Sequence, residues 1–208
     1  MVPGLLIDGP ADAPMTLVLA HGAGAPMDSP FMADVARRIV MFGHRVVRFE
    51  FPYMANRRTD GRRRPPDRQP VLLGAWREVV AGLGAPERLV IGGKSMGGRM
   101  ASLLAAEGGV HGLVCLGYPF HPPGKPERPR VEHLRGLTVP TLIVQGTRDP
   151  FGNPSDVAGY ALSSTVEITW IDDGDHDLKP RKASGQTHDD ALNTATHAIG
   201  RFMKSRCR

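Results

Sequence analysis

Six short runs of apolar, largely β-branched residues recur along the chain: TLVLA at 16–20, RVVRF at 45–49, RLVIG at 88–92, GLVCL at 112–116, TLIVQ at 141–145 and VEITWI at 166–171. Runs this short that stay apolar at nearly every position predict parallel strands buried on both faces. Between them the spacing changes to that of a helix. From Ser29 or Pro30 onward, apolar residues return at Phe31, Val35, Ile39 and Phe42 until Gly43 interrupts them, which predicts a helix with proline in its first turn. Residues 70–82, 96–107, 154–162 and 188–204 predict four more helices. GLLI at 4–7, separated from the first run by a turn rich in Asp, Gly and Pro, is expected to add an antiparallel edge.

Strands alternating with helices predict an α/β fold, a three-layer sandwich around a mostly parallel sheet of six or seven strands. No linker or internal repeat divides the chain, so residues 1–208 are expected to form one domain. Two stretches, 51–69 and 118–135, are expected to be long irregular loops. Such loops carry binding and catalytic groups more often than the elements they join.

Composition narrows the class. A chain of 208 residues with 41% hydrophobic content can bury one core, and its 25 glycines and 19 prolines are aperiodic and separated by apolar runs. No apolar stretch approaches the roughly 18 residues of a membrane helix, and MVPGLLIDGP has no basic segment ahead of an apolar one. A soluble, cytoplasmic protein is therefore expected, without a membrane partner. Cys115 lies inside an apolar run and Cys207 in a basic tail, so both are expected to be free thiols. The formal net charge is +5, and residues 57–68 alone hold six Arg against Asp60 and Asp67, which leaves +4 in one segment. A nucleic-acid binder spreads its positive charge over a face or groove, so this distribution argues against a nucleic-acid partner.

The chemistry is concentrated at three strand ends. The run RLVIG passes directly into Gly93-Lys94-Ser95-Met96-Gly97-Gly98 and then into a helix, which is a G-x-S-x-G elbow in strand–turn–helix context. Glycines are needed there because a Cβ at 93 or 97 would collide with neighbouring backbone, and the sharp turn holds the Ser95 hydroxyl clear of the sheet. A serine nucleophile needs a base, and the base needs a carboxylate to orient it. Asp149 follows the strand TLIVQ, and His176 follows the strand VEITWI, which gives the order Ser, Asp, His expected after such an elbow. Ligand and catalytic groups of an open α/β sheet gather at the carboxyl ends of its strands. A competing reading of the last segment is a metal site of Asp173, Asp175, His176 and Asp177. It lacks a second histidine at ligand spacing.

An acyl-transfer site also needs two backbone N–H groups facing the developing oxyanion. Met96, directly after the nucleophile, is expected to supply one. Ala23, in the glycine-rich turn His21-Gly22-Ala23-Gly24 after the first strand, is expected to supply the other, with Gly24 next.

Taken together, HGAGAPMDSPFM, GGKSMGGRMAS, QGTRDPFG and GDHDLKP resemble the α/β-hydrolase superfamily, in particular its small dienelactone-hydrolase-like branch, over residues 15–204. The resemblance implies a minimal hydrolase without a large cap, a small-molecule acyl substrate, and no cofactor or metal. Dienelactone hydrolases carry a cysteine nucleophile where this chain has Ser95, so their particular reaction does not carry over. The branch also resembles the α/β-hydrolase-type subunit of the non-specific lethal chromatin complex, which offers a second expectation: a non-catalytic interaction module. The intact set of Ser95, Asp149 and His176 weighs against it. Finally, basic residues from three segments are expected to converge on the site, with Arg63, Arg64, Lys94 and Lys179 as contacts for an anionic substrate; the alternative for the arginine segment is a solvated loop that aids solubility or touches nucleic acid loosely.

Overall fold

The central strands are apolar on both sides because helices cover both faces of the sheet. In the computed structural model, which describes residues 4–206, seven strands stand in the order β1-β3-β2-β4-β5-β6-β7. They are β1 (Leu6–Asp8), β2 (Thr16–Ala20), β3 (Arg45–Phe49), β4 (Leu89–Lys94), β5 (Gly112–Leu116), β6 (Thr141–Gly146) and β7 (Val166–Ile171). All neighbours are parallel except β1, which runs antiparallel to β3. The edge strand thus pairs with β3, and not with β2, the strand that follows it in sequence. Strand β3 is the outermost parallel strand and offers β1 a free edge.

Alternate residues of each strand feed separate cores. Leu17, Leu19, Val90, Val114, Leu116, Leu142 and Val144 pack with α1 (Pro30–Val40) and α7 (His188–Lys204) on one face. Val18, Ala20, Ile91, Leu113, Cys115 and Ile143 pack on the other face with α2 (Pro52–Asp60), α3 (Gln69–Leu83), α4 (Met96–Ala105), α5 (Glu132–Arg135) and α6 (Pro154–Ala158). The expectation of a mostly parallel three-layer sandwich therefore holds. Cys115 is a buried free thiol, and Cys207 lies outside the described residues.

Three details differ from the sequence reading. The stretch 51–69 is not one irregular loop, because its first half is helix α2. Pro52 stands in its first turn and Gly61 closes it in the left-handed conformation. Its Arg-rich sequence hides the helix: only Tyr53 and Met54 are buried. The stretch 118–135 is irregular until α5, and the helix expected at 154–162 stops at Ala158.

Candidate active site

Ser95 is the single residue between β4 and α4, with φ 50° and ψ −115°. Side chains with a Cβ avoid positive φ, so the surroundings must hold this conformation. The Ser95 N–H donates to Leu116 O at 2.9 Å, and the Ser95 carbonyl accepts from Arg99 N at 2.9 Å. Close approach of β2 explains the flanking glycines. A methyl group on Gly97 would stand 2.6 Å from His21 O, and one on Gly93 would strike Ala20 O.

His176 and Asp149 come to Ser95 from the loops after β7 and β6. Ser95 Oγ is 2.9 Å from His176 Nε2, and His176 Nδ1 is 2.8 Å from Asp149 Oδ2. Asp149 is fully buried, and its charge is met by hydrogen bonds. Gln145 Nε2 donates to Oδ2 at 2.9 Å, and the Phe151 N–H donates to Oδ1 at 2.9 Å. Phe151 also lays its ring 4.3 Å from the His176 imidazole, centroid to centroid. Beneath the histidine runs Gly117, at φ 61°, where a methyl group would stand 2.6 Å from His176 O.

A carboxylate only accepts, so the proton of a neutral imidazole sits on Nδ1 and leaves Nε2 free to accept from Ser95. The arrangement can therefore deprotonate a hydroxyl as it attacks. The acids around His176 are occupied elsewhere. Asp173 pairs with Arg148 and Arg181, Asp177 pairs with Lys94, and Asp175 accepts the N–H groups of Asp177 and Lys179. Among the described residues no group of three or more His, Cys, Asp or Glu stands where it could hold a metal ion.

The turn after β2 is fastened from below. His21 Nδ1 lies 2.7 Å from Gly22 O and its Nε2 accepts from Phe51 N at 3.1 Å; burial holds its pKa below the ordinary histidine value. Tyr53, on α2, donates its hydroxyl to Ala23 O at 2.9 Å. The turn passes close over Ser95, since a methyl on Gly22 would be 3.8 Å from Ser95 Cβ. Met96 opens α4, so its N–H is one of the first-turn donors without an intrahelical acceptor.

Two hollows meet at Ser95. One, of about 370 Å³, is lined by Ala23, Phe31, Met32, Lys94, Phe151 and His176. The other, of about 490 Å³, is lined by Leu72, Met96, Arg99, Pro119, Arg130 and Phe151. Of the four basic residues expected at the substrate, Lys94 alone lines a hollow with Ser95. It is buried, its Nζ is 3.1 Å from Asp177 Oδ1, and burial lowers its pKa against the pull of that carboxylate. Arg63 and Arg64 line a separate hollow of about 250 Å³ with Ala23, Gly24, Tyr53 and Arg57. Lys179 is exposed and lines neither hollow at Ser95.

The Arg-rich segment is also less free than its charge suggests. Arg58 grips the buried Glu50 through Nε and a terminal nitrogen, both at 2.7 Å, and reaches Asp28 as well; Arg64 pairs with Asp60. These arginines fasten α2 and the turn before α1.

The alpha/beta hydrolase domain family matches residues 13–204. The chain belongs to that family. Its fold is similar to a dienelactone hydrolase from Anabaena variabilis, with TM-score 0.74 and 20% identity over 97% of this chain and 90% of that one. It is also similar to Est1E from Butyrivibrio proteoclasticus, solved with ferulic acid bound, with TM-score 0.73 and 17% identity over 98% and 94% of the two chains. A serine hydrolase without lid from Xanthomonas campestris gives TM-score 0.69 and 20% identity over 95% and 88%. At these identities the likeness is one of fold, and it bears out the dienelactone-hydrolase-like resemblance at that level. No helix among the described residues is long and apolar enough to cross a membrane.

Several residues of the site escaped the sequence reading. Gln145 ends an otherwise apolar strand four residues before Asp149, a polar intrusion that could have marked it. Phe151, Arg99 and Arg130, which line hollows with Ser95, and Tyr53, which holds Ala23 O, carried no such signal.

Proposed function

We propose that this α/β-hydrolase is a serine hydrolase acting on a small ester or related acyl substrate. The observation that carries the reading is the unbroken hydrogen-bond chain from Ser95 Oγ through His176 to Asp149, with steps of 2.9 and 2.8 Å. Such steps fit a nucleophile, its general base and the acid that orients the base. His176 Nε2 takes the Ser95 proton as Oγ bonds to the acyl carbon, then returns it to the leaving group as the old acyl bond breaks. Water repeats the sequence on the acyl-enzyme and frees the acid.

The N–H groups of Met96 and Ala23 stabilise the oxyanion. Pinning the turn through His21 and Tyr53 lets Ala23 serve without reorganising during the reaction. Neighbours described as serine hydrolases, one of them without a lid, support the reaction class and an open site. The two hollows beside Ser95 have room for the acyl part on one side and the leaving group on the other. The test is hydrolysis of p-nitrophenyl acetate by the wild type and by Ser95→Ala. The wild type should turn it over above the background rate, and Ser95→Ala should not. Equal rates in both would leave the reading without support.

A further inference from the structure

The larger hollow beside Ser95 holds an imbalance of charge. Arg99 and Arg130 are both half-buried there, and among the described residues neither forms an ion pair. Arg99 Nε is buried without a hydrogen-bond partner. Burial, and then the neighbouring charge of Arg99, push the pKa of Arg130 below the ordinary arginine value. Two guanidinium groups of like charge at one partly enclosed hollow cost free energy that a bound anion would offset. The one acid on the rim, Asp67, spends Oδ2 on the Tyr53 N–H at 2.9 Å and pairs with neither arginine.

The chain fixes both arginines where they stand. Arg99 lies one helical turn after the nucleophile, its N–H bonded to Ser95 O. Arg130 sits in an irregular segment, yet its backbone is tied on both sides: its N–H donates to Phe120 O at 2.6 Å, and its carbonyl accepts from the buried Tyr118 hydroxyl at 3.0 Å. Tyr118 is in turn held by His133 Nε2 at 3.3 Å, which also meets Ser102 Oγ at 2.8 Å. These bonds fix the backbone from which the Arg130 side chain reaches the hollow.

We propose that Arg99 and Arg130 form an anion subsite of the active site, which takes a carboxylate or phosphate group carried by the acyl substrate. Planar guanidinium forks match both oxyanions. The inference rests on Ser95 as nucleophile for its place in the reaction, but the binding step stands apart from it. It moves the anionic contact expected of Arg63, Arg64, Lys94 and Lys179 to the larger of the two hollows that Ser95 lines.

Two measurements test it. In the first, kcat/KM is compared for p-nitrophenyl butyrate and mono-p-nitrophenyl succinate, matched in size and differing in charge, with wild type, Arg99→Gln, Arg130→Gln and Arg99→Lys. The wild type should favour the succinate ester, each Gln variant should lose about tenfold to a hundredfold of that preference, and Arg99→Lys should keep part of it. The preference is read as the ratio of kcat/KM for the two esters within each variant, so that a loss common to both esters cancels. In the second, succinate and inorganic phosphate are titrated calorimetrically into Ser95→Ala and into Ser95→Ala/Arg130→Gln. Binding of either anion to the first and its loss in the second supports the subsite, names the anion, and does so even if Ser95 proves unreactive. Hydrolysis of both esters without a charge preference in any variant, together with no anion binding to Ser95→Ala, would overturn the subsite while leaving the serine mechanism intact.

Discussion

Gln145 Nε2 donates to Asp149 Oδ2 at 2.9 Å, the same oxygen that faces His176 Nδ1 at 2.8 Å. Gln145 also accepts the Tyr118 N–H at 2.7 Å and lies within 3.1 Å of Tyr118 O and 3.0 Å of Gly152 O. One buried amide thus ties the end of β5, the end of β6 and the loop after it to the carboxylate. Gln145→Leu keeps the volume and removes every one of these bonds. Leaving buried partners unsatisfied should cost about 1–3 kcal/mol of stability by urea denaturation. Loss of the Asp149 position should lower kcat by about tenfold to a hundredfold with little change in KM. A variant with wild-type kcat would assign Gln145 to stability alone.

Asp149 should act only through His176. Asp149→Asn keeps the shape, but its amide can present an N–H to Nδ1 and favour the wrong tautomer. Turnover of p-nitrophenyl acetate should fall by about a thousandfold or more, with circular dichroism unchanged. A larger loss from Asp175→Asn or Asp177→Asn would give the acid role to another carboxylate.

Gly117 sets the height of His176. Its φ of 61° disfavours any side chain, and a methyl there would press on His176 O from 2.6 Å. Gly117→Ala should cost about 1–3 kcal/mol in stability and slow ester hydrolysis further than that loss explains, since the imidazole is displaced from Ser95. Wild-type turnover at 25 °C in a folded Gly117→Ala protein would show that the loop absorbs the methyl elsewhere.

His133 makes stability depend on pH on the acid side. Burial, and then the charge of Arg99 beside it, bring its pKa from 6.5 down to about 4. The unfolded chain therefore takes up this proton first as pH falls. The stability tied to the neutral ring is whole above about pH 6.5 and drains away towards pH 4. Because the residue is only half-buried, the contribution is about 1–2 kcal/mol after solvent screening. His133→Gln can keep a hydrogen bond to Ser102 Oγ and has nothing to titrate. Urea midpoints measured from pH 7 to pH 4 should fall less steeply for this variant than for wild type; parallel curves would contradict the assignment.

The strands were the most legible part of the sequence, since TLVLA, RVVRF, GLVCL and VEITWI coincide with β2, β3, β5 and β7. In β2 and β5 burial on both faces writes itself as a nearly uninterrupted apolar run, while β7, half-buried at the sheet edge, shows instead as β-branched and aromatic residues among polar ones. Ser95, Asp149 and His176 were legible because each stands directly after such a strand, where short turns leave little freedom in placement. Helix α2 was obscured because its exposed face is polar and arginine-rich, although Pro52 and Gly61 marked its ends. Arg63, Arg64 and Lys179 were expected at the substrate from charge and from the strand end that precedes each segment. Charge alone could not tell that Arg64 answers Asp60 or that the Lys179 side chain turns to solvent. Arg99 read as a residue of the helix over 96–107 and Arg130 as part of the long irregular loop 118–135, since bringing them to one hollow depends on the path of that loop.

The central claim is that Ser95 is the reactive nucleophile. The most direct measurement is covalent labelling of the intact protein with a fluorophosphonate, followed by peptide mass spectrometry, in wild type, Ser95→Ala and His176→Ala. One adduct per chain is predicted, on the peptide carrying Ser95, absent from Ser95→Ala and formed far more slowly in His176→Ala. An adduct that persists in Ser95→Ala, or a folded wild type that takes no label, would contradict the account.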